Sequence, residues 1–197
     1  MPSALGEVFQ HHAKNPDVRR RASPELERRL HEILDACRAA WPGLDVPADA
    51  FVRQLAEHLP DDGELDHCLA RMHGPDVYLA CGCAAGDRAA LAAFDSHVLG
   101  QATPVLHRMG LSASQIDEVV QVMRAKLLVT DPHGAPPLIA TYAGRGALVG
   151  WVRTAARRTA LSLRRNKDEQ IGGAKDGRAM ERLPFPADME LDYIKGS

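Results

Sequence analysis

The side chains in this 197-residue chain whose types and spacing suit chemistry are mostly cations. Arg145, Arg153, Arg157, Arg158, Arg164, Arg165 and Lys167 crowd into residues 132–167, a stretch without one Asp or Glu. Cations free of competing carboxylates suit phosphate binding, because each phosphate they neutralise releases counterions and steepens the salt dependence by close to one unit. Two aromatic residues share the stretch, and a planar face that receives an unstacked base is worth roughly 1–3 kcal/mol. Tyr142 lies in a Gly-flanked loop and is the better stacking candidate. Trp151 falls on an apolar stripe and reads first as core.

Other chemistries find little here. Cys81 and Cys83 stand two apart in an Ala-rich helical stretch, so their side chains diverge by about 200° and do not readily share one metal. Free Cys packs as a small hydrophobe, which is the better account of both. His11-His12 and His67-Cys68 lack paired zinc spacing elsewhere. No Ser elbow, phosphate-cradling Gly loop or His-Glu-x-x-His occurs. The sequence therefore predicts neither enzyme activity, nor a metal, nor a cofactor.

The net charge of −2 conceals a strong asymmetry. Residues 1–131 hold 13 basic and 19 acidic groups, residues 132–167 hold 7 and none, and residues 168–197 hold 4 and 7. A basic block between acidic flanks marks a polyanion-binding surface or, more plainly, a solvated helix face. Hydrophobic residues make up 45% and charged residues 25%, which excludes wholesale disorder and collagen. Aromatics at 5%, with Ala and Leu abundant, favour helices over strands and predict an all-α fold. No apolar run approaches the roughly 20 residues that span a bilayer, and the N-terminus lacks an export pattern. A cytoplasmic protein with four ordinary thiols and no membrane partner is expected.

The elements that must carry these residues can be read in order. Residues 1–23 show no sustained apolar period and read as a loose lead-in. Ser23-Pro24 opens a helix with Leu26, Leu30, Ile33, Leu34 and Cys37 inward, closed by Trp41-Pro42-Gly43. A second runs from about Ala48 to Leu59 and a short third from Glu64 to Met72, ending at Gly74-Pro75. An Ala-rich helix through Ala85 follows, then a break at Gly86-Asp87 with Asp87 as cap, the stripe Leu91, Phe94 and Val98, and a restart near Pro104. Ser112 and Gln115 form a capping box before a helix with Ile116, Val119, Val120, Met123 and Leu127 on one face and Glu118 and Gln121 away from it. Thr130 to Gly146 is a connecting loop with a short piece near Leu138 to Tyr142. Leu148, Trp151, Val152, Ala155, Thr159 and Leu163 then form the stripe of a last helix. Opposite them Arg153, Arg157 and Arg164 lie within about 40° of one another, with Arg158 and Arg165 beside them. Three regions result: an accessory helical domain (1–75), a helical binding domain (76–167) and a flexible acidic linker (168–197) whose ending reads as cut.

From residue 76 onward this order resembles region 2 of bacterial sigma factors, particularly the extracytoplasmic-function group. Ala84-Ala85-Gly86-Asp87-Arg88-Ala89-Ala90-Leu91-Ala92-Ala93-Phe94 looks like the family's A-x-G-D-x-A-A-F segment. Glu118-Val119-Val120-Gln121 is similar to its D-L-V-Q segment, and Lys126-Leu127-Leu128 falls where R-A-W is frequent. Trp151, Ala156, Arg157, Ala160, Leu161, Leu163 and Arg165 match W-L-x-x-I-A-R-N-x-A-L-D-L-L-R, with Arg158 standing where Asn is common. Roughly half of the chain is covered; residues 1–75 resemble nothing recognised.

The resemblance implies a domain that docks on core RNA polymerase and captures the −10 element of promoter DNA, with an anti-sigma factor as a further partner. It implies a polymerase contact at Glu118, Gln121 and Arg124. It implies a DNA contact at Tyr142, Arg145, Trp151, Arg153, Arg157, Arg158, Ser162, Arg164, Arg165 and Lys167, the loop from Tyr142 to Arg145 holding a flipped base. Two other readings stand beside this one: a helical interaction module, adaptor or inhibitory partner, that keeps the shape without promoter recognition, and a small metal-dependent regulator built on the Cys and His residues.

Overall fold

A computed structural model describes residues 4–15, 23–60, 63–130 and 134–171, which form helices and connecting turns with no strand among them. This is the all-α fold expected from composition. Packing divides the chain into two compact units: Met1–Ala93 with Ile139–Ala147, and Phe94–Leu138 with Leu148–Ser197.

In the first unit, α1 (Leu5–His12) occupies a segment that reads as a loose lead-in. Leu5, Phe9 and Ala13 are buried, and α1 packs on α2 (Pro24–Ala40) and α3 (Ala48–His58). Eight residues are too few for a helix to stand on propensity alone. Its first amides find a partner on another helix: the N–H groups of Leu5 and Gly6 donate to the Glu27 carboxylate, at 3.1 and 2.5 Å. The rest of the expected lead-in, residues 16–22, lies outside the described residues.

α2 begins as its caps predict, with the Ser23 hydroxyl accepting from Leu26 N–H at 3.1 Å and Pro24 in the first turn. Leu26, Leu30, Leu34 and Cys37 face inward. After α4 (Leu65–Arg71), Pro75 does not close a helix as its sequence context suggests; it sits in the first turn of α5 (Gly74–Ala84), where a missing N–H costs nothing. α5 buries Val77, Tyr78, Leu79, Ala80, Cys81 and Cys83, so it is apolar on every side and serves as the post against which α2 and α3 pack. Tyr78 stands edge-on to Phe51 with ring centroids 5.3 Å apart, and its hydroxyl donates to Leu44 O while accepting from Val46 N–H, both at 3.2 Å. Burial of that kind ties α5 to the N-terminal helices, and the packing boundary falls between Ala93 and Phe94, inside α6 (Arg88–His97), instead of near residue 75. Asp87 caps α6 as expected, accepting from Ala90 N–H at 2.7 Å.

The second unit continues through a 3-10 turn (Leu99–Ala102) into α7 (Thr103–Arg108), where Pro104 restarts the helix. The Ser112–Gln115 capping box is formed, at 2.9 and 3.4 Å, and opens α8 (Ala113–Leu128). Ile116, Val119, Met123 and Leu127 are buried on it and Val120 half-buried. α9 (Leu148–Ile171) packs on α8, α7 and the 3-10 turn. Its helical backbone runs four residues beyond Lys167, into the stretch expected to begin a linker; residues 172–197 lie outside the described residues. No helix among the described residues is long and apolar enough to cross a membrane.

Candidate nucleic-acid interface

α9 is two-sided because its apolar residues recur at helical spacing. Leu148, Trp151, Val152, Ala155, Ala156, Thr159 and Ala160 are buried, while Arg153, Arg157, Arg164, Arg165 and Lys167 are exposed and Arg158 is half-buried. At about 100° per residue, Arg157, Leu161 and Arg165 climb the solvent side in steps of about 40°.

The cations differ in what holds them. Arg153 donates to the backbone carbonyl and to the side-chain oxygen of Gln101, each at 3.3 Å. Arg164 donates to Met109 O at 3.3 Å. Carbonyls orient a guanidinium without cancelling its charge. Lys167 is different: its ammonium lies 2.6 Å from the Glu118 carboxylate. Among the residues whose side chains are described, which end at Lys167 on this helix, no carboxylate pairs with Arg153, Arg157, Arg164 or Arg165.

Three residues expected at DNA lie elsewhere. Tyr142 is wholly buried, its hydroxyl donating to Gly146 O at 2.6 Å and lying 3.5 Å from an Asp76 carboxylate oxygen. A base has no access to that ring, which corrects the stacking expectation. The cause is the turn at Gly144, whose φ of +72° folds the loop onto the start of α5, where Gly144 O accepts from His73 N–H at 2.9 Å. Trp151, 4% exposed, is core, as its stripe position indicates, and Ser162 at 5% is buried with it; neither touches DNA in this conformation. Arg145 stands exposed at the tip of the same loop, which belongs to the first unit, whereas the other arginines belong to the second.

On α8, Gln121 and Arg124 are exposed and Glu118 half-buried. Arg124 is engaged by Asp95, with an N–O distance of 2.9 Å, and Glu118 by Lys167. Lys126 is half-buried, and burial pulls its ammonium below the ordinary lysine range. Leu161, which the sequence reading did not place among the contact residues, is 55% exposed in the middle of the arginine row. Its signal was present: a large apolar residue one turn from an arginine on either side.

The remaining candidates form no second site. All four cysteines are buried free thiols. Burial pushes Cys37 up to about 12 and Cys81 to about 11, far from a reactive thiolate. Among the described residues no group of three His, Cys, Asp or Glu is placed to hold a metal. A groove of about 680 Å³ is lined by Leu5, Glu7, Val8, His12, Asp49 and Arg53 of α1 and α3; there Arg53 lies 3.8 Å from Asp49, and His12 Nδ1 lies 3.4 Å from the Glu57 carboxylate. In comparisons with known proteins, the chain matches no family model, no curated protein and no solved structure.

Proposed function

We propose that this protein is a sigma-like transcription initiation factor, docking on core RNA polymerase through α8 and on the −10 region of promoter DNA through α9. The observation that carries the reading is the row Arg153, Arg157, Arg164 and Arg165: exposed, on one helix whose opposite flank is core, and unmatched by carboxylates among the residues whose side chains are described, up to Lys167. The mechanism is differential binding without covalent chemistry or cofactor. Phosphates neutralised by the row hold the strand, and interactions available only to unpaired bases offset the cost of unpairing.

Fluorescence anisotropy of a labelled duplex, titrated between about 50 and 200 mM salt, tests the DNA half. The double variant Arg157→Ala/Arg165→Ala is expected to weaken binding and to flatten the log–log salt slope by nearly two units. An unchanged slope rejects the row as the DNA contact. Capture of core polymerase, wild type against Gln121→Ala and Glu118→Lys, tests the other half; equal capture by all three rejects α8 as the docking face.

A second reading, a helical interaction module without promoter recognition, is favoured by the burial of Tyr142 and Trp151, which withdraws both aromatic faces of the basic segment. Polymerase capture without salt-dependent DNA binding selects it.

A further inference from the structure

We propose that Leu161 is the side chain that meets an unstacked base, with Arg157 and Arg165 holding the phosphates on either side. This rests on the DNA-binding reading above and names the chemistry of the site: a nucleic acid strand whose bases have left the stack. A lone exposed leucine needs no explanation. This one has three neighbouring facts.

First, Leu161 is 55% exposed, one of two large apolar side chains left exposed among the residues whose side chains are described, and it lies on the basic helix. Second, it sits four residues from Arg157 and four from Arg165, about 6 Å along the axis each way. Both arginines are exposed, and among the residues whose side chains are described, up to Lys167, no carboxylate pairs with either. An apolar group between two cations is complementary to a base between two phosphates, the arrangement by which apolar wedges hold partly unstacked steps. Third, Tyr142 and Trp151, the aromatic residues of the same segment, are buried, so the apolar contact with a base falls to Leu161. An intact duplex offers phosphates to the arginines but no base face to the leucine. The pair of interactions therefore discriminates opened from closed DNA.

Two labelled duplexes of one mixed sequence, fully paired or with a short mismatched A/T stretch at the centre, test this by anisotropy on the full chain at fixed salt. The wild type is expected to bind the mismatched probe about tenfold more tightly. Leu161→Ala and Leu161→Gln should abolish that preference while leaving paired-duplex affinity unchanged, and Arg157→Ala should weaken both probes alike. Circular dichroism identical to wild type excludes misfolding as the cause. A wild type that binds both probes equally, or a Leu161→Ala variant that keeps the preference, overturns the role of Leu161 and leaves the DNA reading standing. Absence of binding to either probe overturns both. Loss of polymerase capture in Leu161→Ala, with the base preference intact, identifies Leu161 instead as a protein contact and overturns the inference.

Discussion

The Lys167 ammonium lies 2.6 Å from the Glu118 carboxylate, joining the far part of α9 to the middle of α8. A carboxylate of the helix proposed to dock on polymerase thus holds a cation of the helix proposed to meet DNA.

Replacing Glu118 by Gln keeps the shape and removes the charge. The Lys167 side chain is 49% exposed and that of Glu118 41%, so solvent screens the pair and the loss of stability should be under about 1 kcal/mol in urea unfolding. The freed lysine should steepen the salt dependence of DNA binding by up to about one unit. An unchanged slope would show that Lys167 does not reach phosphate even when unpaired.

Gly144 is where the loop bearing Arg145 is fastened. Its φ is +72°, and a Cβ there would come within 2.5 Å of Val77 Cγ2. Gly144→Ala combines left-handed backbone strain with overpacking, so a loss of about 2–4 kcal/mol is expected. Gly110 has a nearly equal φ of +74° but open space around it. Gly110→Ala should cost only about 1–2 kcal/mol. Equal losses in thermal unfolding would mean that Val77 gives way.

Thr159 is buried within α9, and its hydroxyl has no hydrogen-bond partner among the described residues. Leaving such a group unsatisfied costs about 1–3 kcal/mol, and valine has nearly the same shape. Thr159→Val should raise the urea midpoint, by about 1 kcal/mol of stability, with an unchanged m-value. A lower midpoint would mean that the hydroxyl has a partner.

The buried thiols predict a basic limb. Burial raises Cys37 to about 12 and Cys81 to about 11 from an ordinary 9.0. For Cys81 the Asp49 carboxylate adds to the rise and Arg53 opposes it. A folded-state pKa above the unfolded one means that the unfolded chain ionises first. The stability these thiols contribute is therefore complete below pH 9 and is lost as pH climbs from 9 towards 11 and 12. Each thiol adds up to about 1.4 kcal/mol per pH unit to the slope. Cys37→Ala should flatten the limb, and a thiol reagent at pH 8 should label Cys37 and Cys81 only as fast as the protein opens; labelling at the rate of a free thiol would contradict their burial.

Helix α2, the capping box at Ser112, the Asp87 cap and the two-sided character of α9 were all legible in the chain, and for one reason. Each is a relation among residues within a few positions of one another: an apolar residue every three or four, an oxygen three residues before an amide. The amino-acid order settled those outright, including which flank of α9 carries arginines.

What tertiary structure alone decided is who covers whom. α1 exists because Glu27, more than twenty residues away, supplies its cap, and because α2 and α3 take its apolar side. Tyr142 left the solvent because a glycine turn lays its loop on α5; its flanking glycines read locally as exposure, and the same glycines made the burial possible. Lys167 meets Glu118 across 49 positions. Local spacing fixes the direction a side chain takes from its own helix, but whether another segment waits there depends on where the whole chain has folded. Burial and pairing are for that reason properties of the packed molecule, while the row of arginines was already a property of the sequence.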